Sequence, residues 1–173
     1  MLRRIRRILK HRWFDHSATR RAITPELVQK LEQQVAASER HHSGQIRIYI
    51  EASLPLSYLW RSAPIRHITR RRALTMFGKL GVWDTAHNNG LLIYLLLAER
   101  AIEVVADRGL NKVVGETVWQ ATVSRMSAAF KGGSFEDGLT QALEDVSALL
   151  VQHFPLGAGD LNPNELPDAP VLG

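Results

Sequence analysis

The chain has 173 residues, of which 45% are hydrophobic and 23% charged, as is ordinary for one globular domain with a buried core. It has no cysteine, which excludes disulfides, thiolate nucleophiles and cysteine-ligated metal centres. The net charge of +5 originates in the first 21 residues, where eight lysines and arginines face one aspartate, so a basic arm precedes a slightly acidic domain.

Residues 1–22 are predicted to form this arm. Its arginines surround an apolar stripe of one helical face, made of Leu2, Ile5, Leu9 and Trp13. The pattern is typical of a helix that lies on an anionic membrane surface, and a partner protein is a second candidate ligand of residues 1–21. The alternative is a solvated arm that docks loosely on its own domain. In either case, we expect that the first 20 residues can be removed without a change in the domain's stability. Nucleic acid is disfavoured, because the aromatic residues are not interleaved for base stacking.

The sequence predicts no transmembrane segment. The longest apolar run, Leu91–Ala98, has eight residues, whereas a spanning helix needs about 20. No apolar stretch of the secretory type follows the N-terminal arginines. We therefore expect a cytoplasmic protein, peripheral at the membrane if the arm binds lipid.

Residues 23–155 are predicted to form the folded domain, which begins with a helix and a strand. Thr24-Pro25-Glu26 is a helix start, with a capping hydroxyl and a proline in the first turn. His41 and His42 follow the helix, either as metal ligands or because a helix C-terminus favours histidine. Gln45–Ala52 alternates strictly, which predicts a strand with its isoleucines on the better-buried face and Arg47, Tyr49 and Glu51 on the other.

A second helix is predicted over Ile65–Leu80 and leads to a hairpin. Five arginines between Arg61 and Arg72 form a basic patch, either a solvated helix face or a site for anions. Leu91–Ala98 and Ala101–Ala106 are separated by two residues, the spacing of a tight hairpin. Strand, helix and strand make a β-α-β unit with parallel strands, and Leu91–Ala98 should lie inside the sheet because both its faces are apolar.

The remaining sequence predicts a helix over Val113–Phe130, another after Ser134, and an irregular tail over residues 156–173. The expected fold is therefore an α/β protein, a three-layer α/β/α sandwich. Its small mixed sheet combines the β-α-β unit with the antiparallel hairpin.

Hairpin geometry also predicts a candidate site. The end of the second hairpin strand returns beside the start of the first, so Asp107 should lie near Asn88, Asn89 and the nearby Asp84. Carboxylate and amide oxygens are the ligands that Ca²⁺ and Mg²⁺ prefer. The alternative is that these residues only cap turns and a helix.

Four stretches carry a family resemblance. NNGLLIY at Asn88–Tyr94, VVADRGL at Val104–Leu110 and the FKGGxFxxGL pattern that closes at Leu139 resemble the TPM domain, and HSGQIRIYIE at His42–Glu51 fits its first strand. The resemblance covers roughly residues 24–154. It implies an α/β/α sandwich and, in some members, divalent-cation binding and weak acid-phosphatase activity.

Carried over residue by residue, the resemblance implies metal ligation by Asp84, Asn89 and Asp107, with Glu51 at a strand end as a further ligand. The leading hypothesis is a TPM-domain protein with a Ca²⁺ or Mg²⁺ site that hydrolyses phosphomonoesters slowly. The alternative is a non-catalytic adaptor that docks on a membrane surface or partner protein through its basic arm. Arginines of residues 66–72 facing the Asp84/Asp107 site would favour phosphate chemistry, and arginines on the far side would favour docking.

Overall fold

A computed structural model describes residues 2–13, 23–132, 135–157, 159–160 and 162–173. Seven helices and four strands are assigned within these ranges. In chain order they are α1 (Leu2–Arg12), α2 (Pro25–Ser38), β1 (Gln45–Glu51), α3 (Leu56–Leu59), α4 (Ile65–Lys79), β2 (Gly90–Leu96), β3 (Ala101–Ala106), α5 (Arg108–Val113), α6 (Glu116–Gly132), α7 (Phe135–His153) and β4 (Val171–Leu172). No helix in these ranges is long and apolar enough to cross a membrane.

The four strands form one mixed sheet in the order β3-β2-β1-β4. β1 and β2 are parallel, with Gln45 opposite Gly90 and Glu51 opposite Leu96. β2 and β3 are antiparallel, and β4 runs parallel to β1. β2 is an interior strand whose residues are all buried, which confirms its predicted place in the sheet.

Helices cover both faces of the sheet, which confirms the three-layer sandwich. On one face, α2, α6 and α7 pack on the row of β1 and β2 side chains that begins with Ile46 and Leu91. On the other face, α3 and α4 pack on the row that contains Tyr49 and Tyr94. The two rows follow from the alternation of side chains along a strand.

The hairpin connection is longer than predicted. Leu97–Glu99 form a turn of 3₁₀ helix, and Arg100 closes it in the left-handed conformation with φ 46°. A two-residue hairpin turn favours glycine or asparagine, because positive φ is needed at its centre. Glu99-Arg100 does not suit it, and the wider loop confines the unfavourable conformation to one residue.

Both faces of β1 are buried, and the isoleucine face is the better buried of the two, as the alternation predicted. The Arg47 guanidinium donates to the carbonyl oxygens of Pro167 and Ala169, the latter at 2.6 Å. Glu51 is bound by Arg72 and by the Tyr94 hydroxyl. Polar side chains can line a covered face here because each has a hydrogen-bonding partner.

The C-terminal segment, predicted to be an irregular tail, contributes to the sheet. Val171 and Leu172 pair with Tyr49 and Ile50 as β4. The Gln45 side-chain oxygen accepts hydrogen bonds from the backbone nitrogens of residues 165 and 166, at 2.9 and 3.1 Å. These interactions join residues far apart in sequence, so local pattern could not predict them.

The described part of the arm is a helix that packs on the domain. The Arg7 guanidinium donates to the carbonyl oxygens of Leu59, Arg61 and Ala63. His11 is only 2% exposed, and its Nδ1 accepts a hydrogen bond from the Leu54 backbone nitrogen at 3.1 Å. Residues 14–22 of the predicted arm lie outside the described residues.

The helix predicted over Val113–Phe130 is α6, which starts three residues later at Glu116 because Val114 and Gly115 separate it from α5. Glycine is the poorest helix former after proline, so a break at this point is the cheaper conformation. Ser134, which precedes the last predicted helix, falls outside the described residues. The Thr24 cap is confirmed, because its hydroxyl accepts from the Leu27 nitrogen at 3.3 Å.

Candidate metal site

Asp84, Asn88, Asn89 and Asp107, which we call the loop cluster, belong to segments at the end of the sheet where β2 begins and β3 ends. The Asp107 nitrogen donates to the Gly90 carbonyl at 2.9 Å. The Gly109 nitrogen donates to the Asn88 carbonyl at 2.8 Å. A Cβ at Gly109 would lie 2.5 Å from that carbonyl oxygen, so this close approach requires glycine.

Asp107 has one oxygen in use and one free. Its Oδ1 accepts from the Arg108 backbone nitrogen at 2.7 Å, which caps α5. Its Oδ2 is buried and has no hydrogen-bond partner among the described residues, and the residue is 9% exposed. A buried carboxylate oxygen without a partner is costly, which makes it the strongest ligand candidate in the cluster.

Asn89 is fully buried, and only one end of its side-chain amide has a hydrogen-bond partner among the described residues. Its Nδ2 donates to the carbonyl oxygen of Ser43 at 2.9 Å, and that carbonyl fixes which end of the amide carries the nitrogen. Its Oδ1 is buried without a partner in the described part of the chain. The Thr85 hydroxyl accepts from the Asn89 backbone nitrogen at 3.1 Å and holds the residue in place.

Asn88 differs, because its side-chain oxygen already has a cationic partner. Arg108 Nε donates to Asn88 Oδ1 at 2.7 Å. Asn88 has φ 52°, a left-handed conformation that asparagine tolerates better than most residues. The Arg108 guanidinium therefore belongs to this end of the sheet.

Asp84 is exposed in the turn after α4, where its backbone nitrogen donates to the Gly81 carbonyl at 2.9 Å. Its carboxylate is thus open to solvent rather than fixed by burial. A solvated carboxylate can complete a cation's coordination, but it does not by itself define a site.

Glu51 is not part of the cluster, contrary to the extended ligand set. It ends β1 opposite Leu96, six residues from the Gln45–Gly90 pair, which is about 20 Å along the strands at ~3.3 Å per residue. Its carboxylate receives Arg72 Nε at 2.9 Å and the Tyr94 hydroxyl at 2.6 Å. Glu51 is therefore a partner in a buried ion pair.

His42 is not available as a metal ligand either, because both of its ring nitrogens have hydrogen-bond partners. Its ring nitrogens are bonded to the Ser38 hydroxyl at 2.7 Å and the Gly44 carbonyl at 3.1 Å. Across the described ranges, no three histidine, aspartate or glutamate side chains are grouped in a way that could hold a metal ion. Any cation at the loop cluster would depend on amide, carbonyl and water oxygens in addition to carboxylates.

A pocket of about 310 Å³ lies beside the loop cluster and was not anticipated from sequence. Ser43 and His87 line it on the domain side, and Asp160 and Glu165 line it from the C-terminal segment. Glu165 Oε2 accepts from the Ala86 nitrogen at 2.8 Å, which attaches this segment to the loop that precedes β2. The acidic residues of a segment predicted to be irregular gave no indication of this position.

The arginines of α4 lie near the middle or the other end of the sheet, or in solvent. Arg72 binds Glu51, and Arg70 lies 3.5 Å from the Glu103 carboxylate. Arg66 and Arg71 are exposed. Because these arginines do not face the Asp84/Asp107 site, their placement favours docking over phosphate chemistry for the basic patch.

The fold and the loop cluster together define an α/β/α sandwich with an oxygen-rich loop at one end of its mixed sheet. A family model described as the TPM domain matches residues 18–149, well over half of the chain, and the chain belongs to the TPM domain family.

Solved structures support the fold. The BA42 protein of the psychrophilic bacterium Bizionia argentinensis is 26% identical, with a TM-score of 0.73 over 87% of this chain and 95% of that one. The N-terminal domain of a P. gingivalis protein is 18% identical, with a TM-score of 0.58 over 79% of this chain and 83% of that one, and shows the fold alone. No curated protein matches the chain.

Proposed function

We propose that this TPM-domain protein binds a divalent cation, Ca²⁺ or Mg²⁺, at the loop cluster. The observation that carries the proposal is Asp107 Oδ2, a buried carboxylate oxygen that lacks a hydrogen-bond partner among the described residues. A nearby cation would offset part of the cost of burying it. Asp107 would be the charged ligand, with Asn89 and Asp84 as further oxygen donors.

The oxygen chemistry supports a hard cation. Asp107, Asp84 and Asn89 offer carboxylate and amide oxygens, and neither Ca²⁺ nor Mg²⁺ requires nitrogen or sulfur ligands. Asn88 contributes less, because its side-chain oxygen receives Arg108. Glu51 contributes nothing from the opposite end of the sheet.

The test is a titration of the protein with CaCl₂ and MgCl₂, followed by amide chemical shifts and melting temperature. We expect shifts concentrated in residues 84–90 and 106–109 and a rise in melting temperature, since a ligand of the folded state stabilises it. Asp107→Asn should abolish most of that rise, while asparagine still caps α5 and keeps the apo protein about as stable.

Glu144→Gln, a change of an exposed carboxylate on α7, is the matched control and should behave as the natural chain. Metal-induced shifts that persist in Asp107→Asn, or that are spread over the acidic surface, would refute a site at the loop cluster.

A slow, metal-assisted hydrolysis of phosphomonoesters is the reaction such a site would support. A bound cation can orient a phosphate and activate water, and Arg108 supplies a guanidinium at the same end of the sheet. The basic patch between Arg61 and Arg72 does not face the loop cluster, so we expect the activity to be low. Hydrolysis of p-nitrophenyl phosphate should then fall with EDTA and with Asp107→Asn. If Asp107→Asn removes metal binding but leaves hydrolysis unchanged, the reaction is discarded and the cation site stands.

A further inference from the structure

Helix α1 contacts the domain through its polar face. Arg7 donates to three carbonyl oxygens of residues 59–63. Lys10 and His11 both bind the Glu99 carboxylate, at 2.6 and 2.9 Å. Ile8 is the partly buried apolar residue of α1 that packs on the core. The interface is therefore built mainly from hydrogen bonds and ion pairs.

The apolar stripe of α1 faces away from this interface. It consists of Ile5, Leu9 and Trp13, which are 49%, 44% and 80% exposed. At 100° per residue, these three positions centre about 150° around the helix from Arg7, Ile8 and His11. An amphipathic helix normally buries its apolar face against the core. Here the helix is attached by the opposite face, and the stripe is left uncovered.

The surroundings of the stripe are apolar and basic. On the helix, Arg6 and Arg12 are exposed and flank the stripe on its two sides. The neighbouring α3 region adds Leu56 and Trp60, which are 54% and 60% exposed. The Arg7 guanidinium donates to the carbonyl oxygens of the residues on either side of Trp60, which places the backbone of residue 60 beside α1.

Further exposed arginines lie at the same end of the molecule. Arg61 sits over the Tyr58 ring at 4.6 Å and is exposed, as is Arg66 at the start of α4. No exposed acidic residue occurs from Ile5 to Trp13 or from Leu54 to Leu80. Within these two segments, the charged residues beside the apolar stripe are therefore all basic.

We propose that α1 and the α3 region form a docking surface for the headgroup layer of an anionic lipid bilayer, with Leu9, Trp13 and Trp60 inserted among the lipids. Tryptophan and leucine on one face and arginine beside them is the composition of interfacial helices, because arginine binds anionic headgroups while the apolar side chains leave water. The domain pre-orders the helix through Arg7, so less conformational entropy is lost on binding. This surface is independent of the proposed cation site, which lies at the other end of the sheet.

Charge distinguishes a bilayer from the other occupants. A second copy of the chain would bring the same arginines against each other, and like charges at an interface oppose association. Nucleic acid would use the arginines but would leave the apolar stripe in water. A bilayer of anionic lipid satisfies both the apolar stripe and its basic borders.

The experiment is co-sedimentation of the full chain with phosphatidylcholine vesicles, with and without phosphatidylglycerol. We expect binding to the anionic vesicles and much weaker binding to the neutral ones. Leu9→Asp, Trp13→Ser and Trp60→Ser should each weaken binding by about tenfold or more, as expected for removing one large apolar side chain from an interface. All three residues are exposed, so melting temperatures should not change.

Trp83→Ser is the matched control, because Trp83 is 54% exposed but lies in the loop before β2, at the opposite end of the sheet. It should bind vesicles like the natural chain. Equal binding to neutral vesicles, an equal loss in Trp83→Ser, or a dimer that forms through Leu9 without any vesicle binding would each overturn the proposal.

Discussion

Glu39 and His42 are close in sequence and both buried, and burial shifts their pKa values in opposite directions. Desolvation raises the pKa of Glu39 to about 7, although the Ile46 nitrogen donates to its Oε1 at 2.7 Å. Desolvation lowers the pKa of His42 to about 4. Both groups thus favour the uncharged form in the folded state, as expected for side chains removed from water.

The two shifts have opposite effects on stability. Between pH 4.5 and 7 the folded chain holds the Glu39 proton more tightly than the unfolded chain, so the Glu39 contribution to stability is present at low pH and is lost as the pH rises. Between pH 4 and 6.5 the folded chain holds the His42 proton less tightly, so its contribution is lost as the pH falls. The two trends offset each other over most of this range.

Glu39→Gln should therefore expose the His42 trend. We expect the free energy of unfolding of this variant, relative to the natural chain, to increase by a few kcal/mol between pH 4.5 and pH 8, because a neutral amide replaces a buried carboxyl that must ionise. Urea unfolding across this pH range is the measurement. Glu144→Gln, at an exposed position, should run parallel to the natural chain; a parallel profile for Glu39→Gln would contradict the assignment.

Among the elements, β2 and α1 contrast in the kind of contact that attaches them to the domain. β2 is buried on both faces and paired on both edges, so its contacts are hydrophobic and continuous. α1 is attached by directional contacts of Arg7, Lys10 and His11. A helix held in this way stabilises the domain locally while its apolar stripe stays available.

Deletion of residues 1–22 should lower stability measurably, in contrast to the sequence-based expectation of no change. The deletion leaves the buried Leu54 nitrogen without its His11 acceptor and uncovers core residues beneath Ile8. The lost hydrogen bond and the lost apolar burial together cost about 1–3 kcal/mol, so the melting temperature should fall by several degrees.

Arg7→Ala is the matched point variant for this deletion and should give a smaller loss, because His11 remains. Both melts are followed by circular dichroism. Coincident melts of the deleted and full chains would show that α1 adds nothing to the stability of the domain.

At the scale of the whole molecule, the C-terminal segment completes the domain. It supplies strand β4 and the carbonyl oxygens that accept from Arg47. It also supplies the backbone nitrogens that donate to the Gln45 side chain. It also carries Leu166, which is buried on the α4 side of the sheet. The domain therefore extends beyond Pro155, where the folded part was predicted to end.

Ending the chain after Asn164 should destabilise the domain by several kcal/mol, because Arg47 and Gln45 lose their hydrogen-bond partners and the buried Leu166 is removed. Ending it after Pro170 removes β4 but retains the Pro167 and Ala169 carbonyls. That control should lose much less. Guanidinium unfolding compares the two, and equal losses would mean that β4, rather than the Arg47 contacts, accounts for the role of this segment.

Sequence alone determined the parts of this protein that depend on local periodicity and on chain connectivity. The apolar run of β2 predicted an interior strand, the β-α-β order predicted parallel pairing, and the return of the hairpin predicted Asp107 beside Asn88 and Asn89. Only the tertiary structure decided which polar groups find partners. Arg72 binds the Glu51 carboxylate, Arg108 donates to the Asn88 side chain, and the C-terminal segment supplies the carbonyl acceptor of Arg47. These pairs join residues distant in sequence, and burial that compels polar groups to pair is a property of the packed chain, not of any local segment.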